Sequence, residues 1–143
     1  MPELTREIFA EIWTAAKTGQ RNADDGLARI QKFMVMHEDM HAHFDRIAAD
    51  PAAPVEVGGE NLMLHVAMDA ATEQCLEADD PSGVRLLMQN MIDQRFEPGR
   101  AFHVLSQAMT HEFLTAARAG NEMDKQRFLT RATSYAEQAA KTE

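Results

Sequence analysis

Apolar residues recur along this chain at steps of three and four, and no run of alternating β-branched residues interrupts them. That period belongs to the α-helix, where each residue turns by about 100°. Ala, Met, Leu, Glu and Gln abound and reinforce it, whereas strands favour β-branched and aromatic residues. The pattern predicts an all-α fold, a compact bundle of about six helices with two to three long helices forming the core. A length of 143 residues suits one hydrophobic core, so residues 1–143 read as a single helical domain.

The first predicted helix, about Glu3 to Lys17, carries Leu4, Ile8, Phe9, Ile12 and Trp13 on one broad face, and residues 1–18 read as an amphipathic cover. Asn22 or Asp24 caps a second helix in which Leu27, Ile30, Met34, His37, His41, Phe44 and Ala48 form one seam. Two prolines near Asp50 stop it, and Val55 to Gly59 reads as an irregular crossing loop. A third helix, about Glu60 to Glu77, mixes Leu62, Leu64, Met68, Cys75 and Leu76 with Asn61, His65, Asp69 and Thr72 on one side. Shorter Val84 to Arg95 follows, then a long fifth helix from about Pro98 to Ala119 with Phe102, Leu105, Met109 and Phe113 inward. Asn121 caps the sixth, which packs Phe128, Leu129, Ala132, Tyr135 and Ala136, and residues 121–143 end in a frayed tail.

Charge narrows the function. Fourteen Lys and Arg against twenty-three Asp and Glu give a net charge of −9, which repels nucleic acid phosphates and anionic lipid. No apolar run approaches the roughly 20 residues of a membrane span, and no export signal opens the chain, so a cytoplasmic protein without nucleic acid or membrane partners is expected. One cysteine, Cys75, can build neither a thiolate cage nor an internal disulfide. It reads as a small buried hydrophobe. A bound metal would take His and carboxylate ligands.

Such ligands stand where a core residue belongs. Burying an imidazole or a carboxylate costs several kcal/mol unless it is paired, hydrogen-bonded or metal-bound. His37 and His41 lie one turn apart on the second helix, and His65 and Asp69 repeat that spacing on the third. Two such pairs facing each other supply four ligands, the way helix bundles build iron, manganese and zinc centres. The fifth helix adds His103, with Gln107 one turn on, while His111 diverges from His103 by about 80°. Glu11 borders the apolar face of the first helix, and His43 points off the seam. His37-Glu38-Asp39-Met40-His41 also matches the HExxH pattern of zinc peptidases, with Glu60 or His65 as a downstream third ligand, although no strand is predicted to hold a peptide.

Four segments occur in order: Phe9 to Trp13; the HxxxH of His37 to His41; Gly58-Gly59-Glu60-Asn61 leading to His65; and Pro81-Ser82-Gly83-Val84-Arg85. Together they resemble a bacterial all-helical family, a domain of unknown function, from the first helix to about Asp124. The resemblance implies that Glu11, His37, His41, His65 and His103 share one polar centre. Family members usually carry His at the positions of Asp69 and Gly99 and carboxylates at those of Gln107 and His111, and this chain departs at all four. Asp69 and His111 can still ligate; Gly99 cannot.

The sequence thus predicts a buried divalent-metal site between the second, third and fifth helices, drawn from His37, His41, His65, Asp69, His103 and Glu11. Iron or zinc suits mixed imidazole and carboxylate ligands, as does manganese, and copper is admitted by its high intrinsic affinity. One expectation is a non-haem iron oxidoreductase acting on oxygen or a small-molecule substrate. Another is a non-catalytic interaction protein whose buried polar network sets helix register, with a homodimer seam available on the terminal helices.

Overall fold

The computed structural model describes residues 4–142, so Glu3, where the first helix was expected to begin, lies outside the described residues. The fold is all-α, with seven α-helices and one two-stranded hairpin among the described residues. Two compact units make up the chain, one ending at Ala70 and the other beginning at Ala71.

In the first unit, helix α1 (Arg6–Lys17) starts where the Thr5 hydroxyl accepts from the Ile8 amide at 3.2 Å and buries Phe9, Ile12 and Trp13. Helix α2 (Asp25–Met36) starts at Asp24, whose carboxylate accepts from the Leu27 amide at 2.9 Å. Its buried Gln31 donates to the carbonyls of Ile12 and Gln20 and accepts from the Asn22 amide, tying the α1–α2 turn to the helix.

The expected single second helix is two. It ends at Met36, passes through a 3-10 turn over Glu38–Met40, and resumes as α3 (His41–Ala49). His37 sits at the break with φ −88° and ψ 70°. The break lets α3 pack on α1, where Phe44 meets Phe9 and Trp13 edge-on at ring separations of 5.4 and 5.2 Å. The Trp13 indole donates to Asp45 at 2.8 Å, and Lys17 joins the same carboxylate oxygen at 2.8 Å.

The predicted irregular loop holds a hairpin, β1 (Glu56–Val57) against β2 (Glu60–Asn61), paired Glu56 to Asn61 and Val57 to Glu60. Gly58 and Gly59 take φ of 61° and 82°, the double positive φ of a type I′ turn. Helix α4 (Leu62–Ala78) follows at once, with the Asn61 side chain accepting from the Leu64 amide at 3.0 Å. Its buried positions are Leu62, Val66, Asp69, Ala70 and Thr72; Leu64, Met68, Cys75 and Leu76, expected inward, are half-buried.

The second unit contains α5 (Val84–Asp93), α6 (Pro98–Arg118) and α7 (Lys125–Lys141). Asp79 accepts from the amides of Gly83 and Arg85, while the Arg85 guanidinium reaches back to the carbonyls of Leu76 and Glu77. One loop is thus braced against the last turn of α4. The buried stripe of α6 runs through Ala101, Val104, Leu105, Ala108, Met109, Glu112 and Ala116; Leu105 and Met109 face inward as expected, whereas Phe102 and Phe113 are half-buried. Small residues there let α7 approach with Phe128, Ala132 and Ala136. Asp124, not Asn121, caps α7, and the expected fraying gives way to helix through Lys141, where Arg100 donates to the Ala139 carbonyl at 2.9 Å.

Bonds from Lys17 and, to a smaller extent, Trp13 hold the Asp45 carboxyl below its ordinary 3.8. A depressed carboxyl stabilises the fold above its unfolded value and loses that contribution as pH falls through its folded one. Because Asp45 is exposed and its pairing is screened by water, Asp45→Asn should cost only a few tenths of a kcal/mol at neutral pH, with the gap from wild type narrowing as pH falls below 3.8 in urea titrations followed by Trp13 fluorescence.

Candidate metal centre

Three potential ligands converge in the first unit, and two backbone features bring them together. The helix break leaves His37 at the end of α2, with its ring free of the helical face it would otherwise share with His41. On α4, His65 and Asp69 stack one turn apart. The outcome is that His37 Nε2 donates to Asp69 Oδ2 at 2.8 Å, and His65 Nε2 lies 3.3 Å from the same oxygen. The two imidazoles stand edge-to-face with centroids 4.8 Å apart.

One ligand atom from each of His37, His65 and Asp69 falls within 4.8 Å of the other two. Metal bonds of about 2.0–2.2 Å set ligand atoms roughly 3.0 to 3.5 Å apart, from right-angled to tetrahedral arrangements. The two nitrogen–oxygen separations, 2.8 and 3.3 Å, stand close to that range. Asp69 is only 4% exposed, and both rings are half-buried. Hydrogen bonding to Asp69 raises the His37 imidazole above its ordinary 6.5 against the opposing effect of burial, with further support from the charges of Asp39 and Glu60.

Glu60, at the hairpin's end, contacts Nδ1 of His65. His65 therefore has a carboxylate oxygen at each ring nitrogen.

The other expected ligands are elsewhere. His41 begins α3 and its Nε2 points back at the carbonyls of Met34 and Val35, at 3.1 and 3.0 Å, so it satisfies acceptors that the helix break exposes. Its ring lies against Trp13 at 4.8 Å. The HExxH geometry is absent, since it needs both histidines on one unbroken helix face. Glu11 is exposed on α1, opposite the Phe9, Ile12 and Trp13 face, and His43 is half-buried.

In the second unit His103 is exposed on α6 and does not enter the three-residue group. Gln107 is exposed and borders a cavity of about 400 Å³ together with Val104, Tyr135 and Gln138. His111 Nδ1 pairs with the Tyr135 hydroxyl at 2.6 Å. Arg131 lies 3.4 Å from that hydroxyl and 3.7 Å from the carboxylate of Glu112, a residue only 1% exposed. Sequence reading overlooked Glu112 because its polar type on a predominantly apolar stripe is visible only once the helix's true inward face is known. Burial pushes the Cys75 thiol up, away from the reactive thiolate.

The chain matches a family described as a domain of unknown function, DUF1841, over residues 2–134. It belongs to that family. Comparison with curated proteins and with solved structures returned no match. Among the described residues, no helix is long and apolar enough to cross a membrane.

His41→Ala should lower stability by about 1–2 kcal/mol in chemical denaturation through loss of the α2 cap, and leave metal content as in wild type. For metal-free protein the His37–Asp69 pair has the opposite pH sign from Asp45. A raised imidazole contributes fully below its unfolded 6.5 and loses its contribution as pH rises through its folded value. Denaturation midpoints across that interval should fall in wild type and stay flatter in Asp69→Asn.

Proposed function

We propose that this chain binds one divalent cation through His37, His65 and Asp69. The observation that carries the reading is the convergence of two imidazole nitrogens and a buried carboxylate oxygen within 4.8 Å, from α4 and from the break after α2. Two histidines with one carboxylate leave coordination positions open, the donor set of non-haem ferrous enzymes and of catalytic zinc sites alike. Iron is the first assignment and zinc the second. Bound there, the ion would supply a Lewis acid or redox centre at which oxygen or a small organic substrate exchanges for water. Asp69 would neutralise part of its charge, and the two rings would fix its position. His41, His103 and Glu11 fall outside this narrower set.

A second reading is favoured by the 2.8 Å His37–Asp69 bond and the raised His37 imidazole. In it the same residues form a closed, protonated network that fastens the end of α2 to α4, with no ion involved.

Elemental analysis of protein purified without affinity tag or chelator separates the two. About one equivalent of iron or zinc per chain is expected, restored after chelation by anaerobic ferrous iron or by zinc, with a rise in melting temperature. His37→Ala and His65→Ala should each weaken binding by more than the roughly 10–100-fold that loss of a supporting partner costs. Because the ion displaces the His37 proton, affinity should rise with pH. Unchanged metal content in both variants, or none in wild type, sinks the proposal and leaves the closed network.

A further inference from the structure

Glu60 contacts a candidate ligand without belonging to the ligand group, and its own side chain is 51% exposed, too open to serve the core. The hairpin is the one β-structure among the described residues. Its glycine pair turns the chain and Asn61 caps α4, and between them Glu60 is held against Nδ1 of His65.

We infer that Glu60 is the positioning residue of the metal centre, assigning Nε2 of His65 to the ion; the inference rests on the metal reading above. A carboxylate only accepts hydrogen bonds, so the ring nitrogen it contacts carries the proton. A neutral imidazole has one such proton. With Nδ1–H directed to Glu60, the lone pair of Nε2 faces Asp69 Oδ2 at 3.3 Å, on the side where His37 Nε2 also points. Two electron-rich atoms at that separation repel unless a proton or a metal ion stands between them, and an ion held by His37 and Asp69 takes that proton's place. Glu60 thus fixes the tautomer, orients the ring and makes Nε2 a more basic ligand, the work of a carboxylate behind a metal-bound histidine. The Gly58-Gly59-Glu60-Asn61 segment and His65 form one device, in which turn, orienting carboxylate, helix cap and ligand follow each other within eight residues.

The test uses cobalt(II) as a visible probe on the full chain, comparing wild type, Glu60→Ala, Glu60→Gln and His65→Ala. Glu60→Ala should bind cobalt 10–100-fold more weakly, about the loss typical of such partners, with unchanged circular dichroism and an unchanged absorption envelope at saturation. Glu60→Gln keeps an acceptor oxygen and should recover most of that loss. In the zinc form, proton–nitrogen NMR should place the His65 proton on Nδ1 in wild type and show it weakened in Glu60→Ala. Equal affinity in wild type and Glu60→Ala overturns the inference while leaving the metal reading intact. A changed cobalt envelope in Glu60→Ala overturns it as well, since Glu60 would then be a ligand. Wild type that takes up no cobalt overturns the metal reading and this inference together.

Discussion

Asp69 on α4 is a carboxylate only 4% exposed, and the structure around it compensates its burial. An ionised carboxylate stripped of water loses many kcal/mol of solvation, which only hydrogen-bond donors or a cation can return. Both imidazoles present Nε2 to the same oxygen, and one of them belongs to the residue where a helix stops. The helix break and the buried charge are therefore one problem with one solution. His37 reaches Asp69 because the backbone leaves the helical path at that residue.

A broken helix strands carbonyls, and His41 answers them. Its Nε2 serves Met34 and Val35, while its ring packs on Trp13, so the residue that sequence spacing assigned to the ion stabilises the break instead. The division of labour is physical. Two histidines four residues apart share a target only while the helix between them is continuous. Once the 3-10 turn intervenes, one faces α4 and the other faces the end of α2. The same break frees α3 to lay Phe44 between Phe9 and Trp13.

Two sequence motifs acquire separate meanings. The glycine pair followed by Glu60, Asn61 and His65 brings Glu60 against the His65 ring through a type I′ turn and caps α4. The Pro81 to Arg85 segment serves the fold, with Arg85 covering the last carbonyls of α4 and Asp79 holding the amides of the turn. Nothing in one-dimensional order says what each of the two segments holds in place. His65 and Asp69 were legible because both sit on one continuous helix, where the period of 3.6 translates directly into a shared face. Glu112 was not, because it shares the inward stripe of α6 with Ala101, Ala108 and Ala116, small residues that permit close approach of α7 and mark that side less strongly than Phe102 and Phe113 mark theirs.

Local order determined most of the helices, the cap at Asp24, the stop near Asp50, and the shared face of His65 and Asp69, since each depends on residues within a turn or two. Tertiary structure decided that the second helix breaks at His37, that His41 turns to the backbone, and that His37 meets Asp69. A helix breaks where packing on a distant element repays the hydrogen bonds it gives up, and Trp13, Phe9 and Asp69 lie far from His37 in sequence. The period of a pattern is a short-range property, whereas the balance between a continued helix and a buried carboxylate's need for a donor is settled only when the chain has closed on itself.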